Sequence, residues 1–122
     1  MNWALFLAAL IATESGGDRL AVGDNGQSYG VLQIQQAVVE DVNRVYGFGY
    51  AHTEMFSEVR SRHVAIHYLR YWGSQYEKRT GRPATPEVYA RIWNGGPTAP
   101  INNNTTAHWH KVRTHMMMKE AR

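Results

Sequence analysis

The first residue whose type and place could do chemistry is Glu14, which closes the apolar run Asn2-Trp3-Ala4-Leu5-Phe6-Leu7-Ala8-Ala9-Leu10-Ile11-Ala12 and is followed by Ser15-Gly16-Gly17. A carboxyl group in the last turn of a helix meets the negative end of the helix dipole, and its neighbours one turn back, Leu10 and Ile11, are apolar. Both effects disfavour the ionised form, the direction a general acid requires near neutral pH. The competing reading is an ordinary solvated glutamate at a helix end. The residues downstream change the balance: Gly23-Asp24-Asn25-Gly26 brings a second carboxylate, Asp24, and the stretch from Ser28 to Ile34 adds Ser28, Tyr29 and Gln33. One protonated acid, one ionised carboxylate and a few hydrogen-bonding side chains are the minimal equipment for cleaving a glycosidic bond.

The elements that must position these groups follow from pattern and punctuation. Residues 2–14 predict a buried helix with Asn2 as cap and the paired glycines as its stop. Gly23-Asp24-Asn25-Gly26 is dense in residues that tolerate positive φ, so a tight turn is expected there. Leu20-Ala21-Val22 and Ser28–Ile34 would be the arms of a small hairpin that folds back toward Glu14. Val38, Val42, Val45 and Tyr46 recur at helical spacing before Gly47 and predict a second helix. Gly47-Phe48-Gly49-Tyr50-Ala51-His52 is either a cleft-lining loop or a packing loop.

Thr53 is then the expected cap of the longest helix, roughly residues 54–79. Phe56, Val59, His63, Ile66 and Arg70 form one stripe on it, with Tyr68, Trp72 and Tyr76 near another. Thr85-Pro86-Glu87 starts a further helix that delivers Trp93 and Asn94 at its end, where Gly95-Gly96-Pro97 stops it. Thr106 is the expected cap of a last helix packing Trp109, Val112, Met116 and Met117.

On these residues the sequence resembles the lysozyme-like muramidases, and within them the soluble lytic transglycosylases and goose-type lysozymes. Glu14-Ser15-Gly16 looks like the Glu-Ser opening of the family's catalytic motif. Gly26 with Tyr29-Gly30-Val31-Leu32-Gln33-Ile34 is similar to its Gly-x-x-Gly-Leu-Met-Gln-Ile segment, and Ile92-Trp93-Asn94-Gly95-Gly96 to its Tyr-Asn-Ala-Gly box. The matches span residues 14 to 96. Two departures stand out: the Glu14-to-Gln33 segment is longer than usual and carries Asp24 where transglycosylases have a neutral residue, and Trp93 replaces a tyrosine, removing a hydroxyl.

The resemblance implies a mainly α lysozyme-like fold, with about five helices, a small β hairpin and two subregions flanking a cleft, over one catalytic domain at residues 1–122. It implies cleavage of the β-1,4 bond between N-acetylmuramic acid and N-acetylglucosamine in peptidoglycan, with Glu14 as acid and then base. In a hydrolytic version Asp24 stabilises the transition state or orients water; in a transglycosylase version the muramic acid's own 6-hydroxyl attacks and Asp24 is dispensable. Ser28, Tyr29, Gln33, Trp93 and Asn94 are the candidate saccharide-binding residues, and neither route needs a metal or organic cofactor. A catalytically inactive wall-binding or virion structural module with the same fold is the alternative.

Composition bounds the other classes. The chain has 122 residues, 43% hydrophobic and 19% charged, and lacks cysteine, which rules out disulfides and thiolate metal sites. A net charge of +3 and a pI near 9.4 favour anionic partners. The basic residues are scattered, so nucleic-acid binding is not expected. The apolar run at 3–13 is too short to span a bilayer and lacks a basic start, so it reads as a core helix without membrane insertion or a signal peptide. His63 and His67 lie four apart with no third ligand at a telling spacing, and His108, His110 and His115 have no acidic companions, so no metal site is expected. A monomer made in the cytoplasm and acting on the cell wall, of the phage endolysin kind and released by a pore-forming partner, completes the expectation.

Overall fold

Helix α1 (Trp3–Glu14) forms where the apolar run predicts it: the Leu5 N–H donates to Asn2 Oδ1 at 3.1 Å, and Phe6, Leu7, Ala9, Leu10 and Ile11 are buried. Gly16 and Gly17 follow in the left-handed region. The structure is a computed structural model and describes residues 1–121. After α1 come strands β1 (Val22–Gly23), β2 (Ser28–Tyr29) and β3 (Ile34–Gln35), then α2 (Gln36–Tyr46), a 3-10 turn at His52–Phe56, α3 (Glu58–Thr80), α4 (Pro86–Gly95), a 3-10 turn at Ala99–Ile101 and α5 (Thr106–Glu120). The fold is mainly α. The strands make an antiparallel sheet in the order β1-β2-β3, with Val22 opposite Tyr29, Gly23 opposite Ser28 and again Ser28 opposite Gln35. The expected hairpin is thus present and extended by a third strand.

The chain divides into two compact units, one of Glu14–Tyr68 and one of Met1–Thr13 with residues 69 onward. In the first, the hairpin unit, Val31, Leu32, Ile34, Val39, Val42, Met55, Val64 and Ala65 are buried. Gly47 closes α2 at φ +71, donating its N–H to Asn43 O. In the second unit Trp3 packs on Tyr89 with ring centroids 4.8 Å apart and on the edge of Phe6, and Gly73 of α3 approaches Tyr89 so closely that a Cβ there would sit 2.5 Å from the ring. Arg91 of α4 pairs with Glu87 at 2.9 Å and donates to Asn102 O, Thr105 Oγ1 and Thr106 Oγ1, joining α4 to the start of α5.

Three expectations are corrected. The helix predicted from residue 54 with Thr53 as cap begins instead at Glu58. Ser57 takes the capping role, its Oγ accepting the Arg60 N–H, and Glu54 reaches back to the Ala51 N–H to close a separate 3-10 turn. Nor is the buried face of α3 the stripe Phe56, Val59, His63, Ile66 and Arg70: Val59 is 79% exposed, and the buried residues are Ser61, Val64, Ala65, Tyr68, Leu69 and Gly73. Small side chains permit the closest approach, so they mark the face that packs. At α5 neither threonine side chain caps the helix, because the hydroxyls of Thr105 and Thr106 accept from Arg91. There Val112 is buried while Met117 is 58% exposed.

Candidate active site

Glu14 is the last residue of α1 and is half-buried. The next residue fixes the local chain: Ser15 Oγ donates to Val31 O at 2.7 Å and accepts the Gly17 N–H at 3.1 Å. That bond holds the end of the helix to the turn between β2 and β3. The glycines supply the positive φ needed to leave the helix this sharply.

The hairpin turn is built from three successive left-handed residues, Asp24 at φ +52, Asn25 at +56 and Gly26 at +85. Asp and Asn are among the non-glycine residues that tolerate this region. The conformation returns the chain so that Ser28, fully buried, donates to Asp24 Oδ2 at 2.5 Å. Asp24 itself lies on the exposed turn.

Gln33 is also left-handed, at φ +52. Its Nε2 donates to Ala21 O at 3.1 Å and Gly30 O at 3.0 Å, and its Oε1 lies where a Cβ on Gly23 would stand, 2.2 Å from that position. Both amide hydrogens are therefore engaged by backbone carbonyls, and this side chain knits together the segments that carry the sheet. Gly30, at φ +83, donates its N–H to Ala21 O and passes so near the carbonyl of Met55 that a Cβ would come within 2.1 Å of its oxygen.

Tyr29 stacks on His52, with centroids 3.8 Å apart and planes 10° from parallel, and on Phe56 at 4.6 Å and 21°. Two rings at such small offsets cannot share one face, so they cover both, and Tyr29 has its edge and hydroxyl left for a ligand. His52 Nε2 lies 2.7 Å from Ile34 O, which ties the 3-10 turn to β3. Beside this stack is a groove of about 420 Å³ lined by Gly26, Gln27, Tyr29, Gln35, Gln36, Ala37 and His52. Among the described residues that line it there is no carboxylate, lysine or arginine. Such neutral amide and aromatic edges suit a hydroxyl- and amide-bearing ligand.

Sequence reasoning did not put Gln27, Gln35 or Gln36 forward for a site, and it placed Phe56 on a packing stripe of the long helix. His52 was the last residue of the loop read as either cleft-lining or packing. Trp93, half-buried, and Asn94, exposed, are the last side chains of α4 in the other unit. Gly95 after them packs where a Cβ would stand 2.6 Å from Thr105 Cγ2, and Gly96 turns the chain at φ +93.

The histidine pair on α3 is occupied within the protein. Tyr50 Oη lies 2.7 Å from His63 Nδ1, and His67 Nδ1 lies 2.8 Å from His63 O. Burial and the neighbouring His67 push the pKa of His63 down. Among the described residues no three histidine, aspartate or glutamate side chains are grouped to hold a metal ion, and no helix is long and apolar enough to cross a membrane.

Glu14 at the end of α1 is thus followed by a Ser15 bound to the Val31 carbonyl, and the same unit carries a neutral groove. The sequence matches the transglycosylase SLT domain over residues 1–114. The chain belongs to the transglycosylase SLT domain family. That family is of the lytic transglycosylase, peptidoglycan-degrading type, so peptidoglycan is the substrate class this membership implies. A search of curated proteins finds no match. Among solved structures, a chain in the crystal structure of Aeromonas hydrophila PliI in complex with Meretrix lusoria lysozyme superposes with a TM-score of 0.68 at 23% identity, over 90% of this SLT chain and 87% of that one. At that identity the likeness concerns the fold, which is lysozyme-like.

Proposed function

We propose that this SLT domain is a lytic transglycosylase that cleaves the β-1,4 bond between N-acetylmuramic acid and N-acetylglucosamine, with Glu14 as both acid and base. The observation that carries the reading is the setting of Glu14, at the end of α1 beside a Ser15 bound to the Val31 carbonyl, within a match to the family that covers nearly the whole chain. In the first step the Glu14 carboxyl gives its proton to the bridging oxygen as the bond to C1 of the muramic acid breaks, and the leaving sugar departs as an alcohol. In the second, the 6-hydroxyl of the same muramic acid attacks C1 and returns its proton to Glu14. The product is a 1,6-anhydro ring, and no water is consumed.

Asp24 is assigned to the hairpin rather than to the reaction, since its carboxylate is engaged by buried Ser28. Gln33 likewise acts by holding the sheet, and Tyr29 offers its hydroxyl edge to saccharide. Trp93 and Asn94, on α4, are proposed to contribute an indole and an amide to saccharide binding on their own unit. The place of action that follows is the cell wall, and a phage-encoded endolysin is the origin we favour.

Muropeptides released from purified peptidoglycan, read by mass spectrometry, test the proposal. Products ending in 1,6-anhydro-muramic acid are expected from the intact protein. Their yield should fall roughly a thousandfold with Glu14→Gln and stay near the parent's with Asp24→Asn. Reducing-end products lost with both changes would replace the reading with two-carboxylate hydrolysis. No release by a folded parent protein would leave a wall-binding or virion structural module.

A further inference from the structure

The outer side of α5 plays no part in the chemistry above, and its composition is unusual for a surface helix. The exposed residues of the helix fall on two adjacent lines, His110-Arg113-Thr114-Met117 at i, i+3, i+4, i+7 and Ala107-Lys111-Thr114-Met118 at i, i+4, i+7, i+11, spacings that put side chains on one face, with Glu120 one turn beyond Met117 at the helix end. Met117 and Met118 are 58% and 54% exposed. Two large apolar side chains thus stand in solvent between Arg113 and Lys111. Along the helix Lys111, Arg113 and Lys119 face one carboxylate, Glu120. Next to Met117 the surface dips into a groove of about 380 Å³, lined by Trp109, Met116, Met117 and Arg113 together with Glu87 and Glu120. Glu87 is neutralised by Arg91 at 2.9 Å.

Exposed apolar side chains flanked by cations form the pattern by which a helix lies on a membrane surface. The cations meet lipid phosphates, and the apolar side chains and an adjacent tryptophan enter the boundary between headgroups and acyl chains. A soluble polyanion would explain the cations and leave the methionines without a role. We propose that the outer face of α5 docks this protein reversibly on an anionic phospholipid surface, with Lys111 and Arg113 on the phosphates and Met117 and Met118 in the headgroup–acyl boundary. The contact is peripheral, and it is independent of the reaction at Glu14.

Co-sedimentation of the intact chain with vesicles tests it, using phosphatidylglycerol mixed with phosphatidylcholine against phosphatidylcholine alone. Binding is expected only with the anionic vesicles and should fall with salt. Lys111→Gln with Arg113→Gln should weaken it roughly thirtyfold, and Met117→Ser with Met118→Ser roughly tenfold. Both double variants, on the solvent side of the helix, should keep the parent's circular dichroism and its activity on purified peptidoglycan. Glu14→Gln should bind vesicles as the parent does, so loss of the enzymatic reading would not touch this result. Equal binding to neutral and anionic vesicles, or none to either, overturns the proposal. So does binding that survives the methionine changes but not the charge changes, since that pattern belongs to a polyanion site.

Discussion

In the hairpin unit, residues 14–68, polar groups fix the backbone residue by residue: Ser15 on the Val31 carbonyl, Ser28 on Asp24, Gln33 on Ala21 and Gly30, His52 beside Ile34. In the unit built from residues 1–13 and 69 onward, position is set by large rings in close contact and by one arginine that serves several acceptors. The two units are therefore brittle at different kinds of position. A network of side-chain-to-backbone bonds around left-handed residues has few alternative geometries, so the segment beside Glu14 is rigid for reasons independent of hydrophobic burial. Ring packing on α1, α3 and α4 instead depends on volume, and there the sensitive positions are those where a missing Cβ admits a ring.

Glycines in the hairpin unit are not interchangeable. Gly30→Ala should destabilise by about 3 kcal/mol or more, because the residue must hold φ +83 and its Cβ would meet the Met55 carbonyl oxygen at 2.1 Å. Gly26→Ala, at φ +85 but with open space around it, should cost only the backbone term, about 1 kcal/mol. Urea midpoints of the two variants measure the gap, and equal losses would mean that the approach to Met55 is not tight.

In the other unit, Arg91→Met should cost about 2 kcal/mol, since it removes the pair with Glu87 and the bonds to Asn102, Thr105 and Thr106 while keeping the aliphatic stem. The loss should appear in the same urea measurement with activity per folded molecule retained. An unchanged midpoint would assign the join of α4 to α5 to packing alone.

Alkaline titration reports on both units, because each holds one phenol whose pKa is raised. Burial, then Asp41, pushes Tyr68 up to about 12; burial and Glu77 raise Tyr89. An unfolded phenol gives up its proton near pH 10. Between there and pH 12 the native chain therefore holds more protons than the unfolded one, and stability falls as pH rises. Below pH 10 these phenols contribute no slope. The loss from Tyr68 should approach about 2 kcal/mol at the top of that window. Tyr68→Phe should flatten most of the slope seen in urea midpoints across the range, and an undiminished slope would assign it elsewhere.

What the sequence disclosed follows the same division. The ends of α1, α2 and α4 were legible because Asn2 and Thr85 cap donors three residues on, and Gly16-Gly17 and Gly47 act through their own backbone, so none needs a distant partner. The hairpin turn was legible for the same reason, from Asp24, Asn25 and Gly26. The third strand, the role of Gln33 and the stack of Tyr29 between His52 and Phe56 were hidden, because each depends on residues brought together only by the fold. Residue spacing on α3 misled, since Val59 and Phe56 look like core while Ser61 and Ala65, small and unremarkable in sequence, form the packed face.

The smallest effect is the most local. Thr85 Oγ1 accepts the Val88 N–H at 3.3 Å at the start of α4, with Pro86 in the first turn and Glu87 behind it. Thr85→Ala should cost about 1 kcal/mol, and Thr85→Asp should recover most of it, because a carboxylate there caps the same donor and also favours the positive end of the helix dipole. Glu87 already sits in that turn, so the aspartate must also meet its repulsion, and recovery should improve as salt is raised. Failure of aspartate to recover stability at any salt concentration would mean that Thr85 acts through its methyl group against neighbouring side chains rather than as a cap. The start of α4 would then be governed by packing like the rest of its unit, and side-chain-to-backbone control would be confined to the hairpin unit.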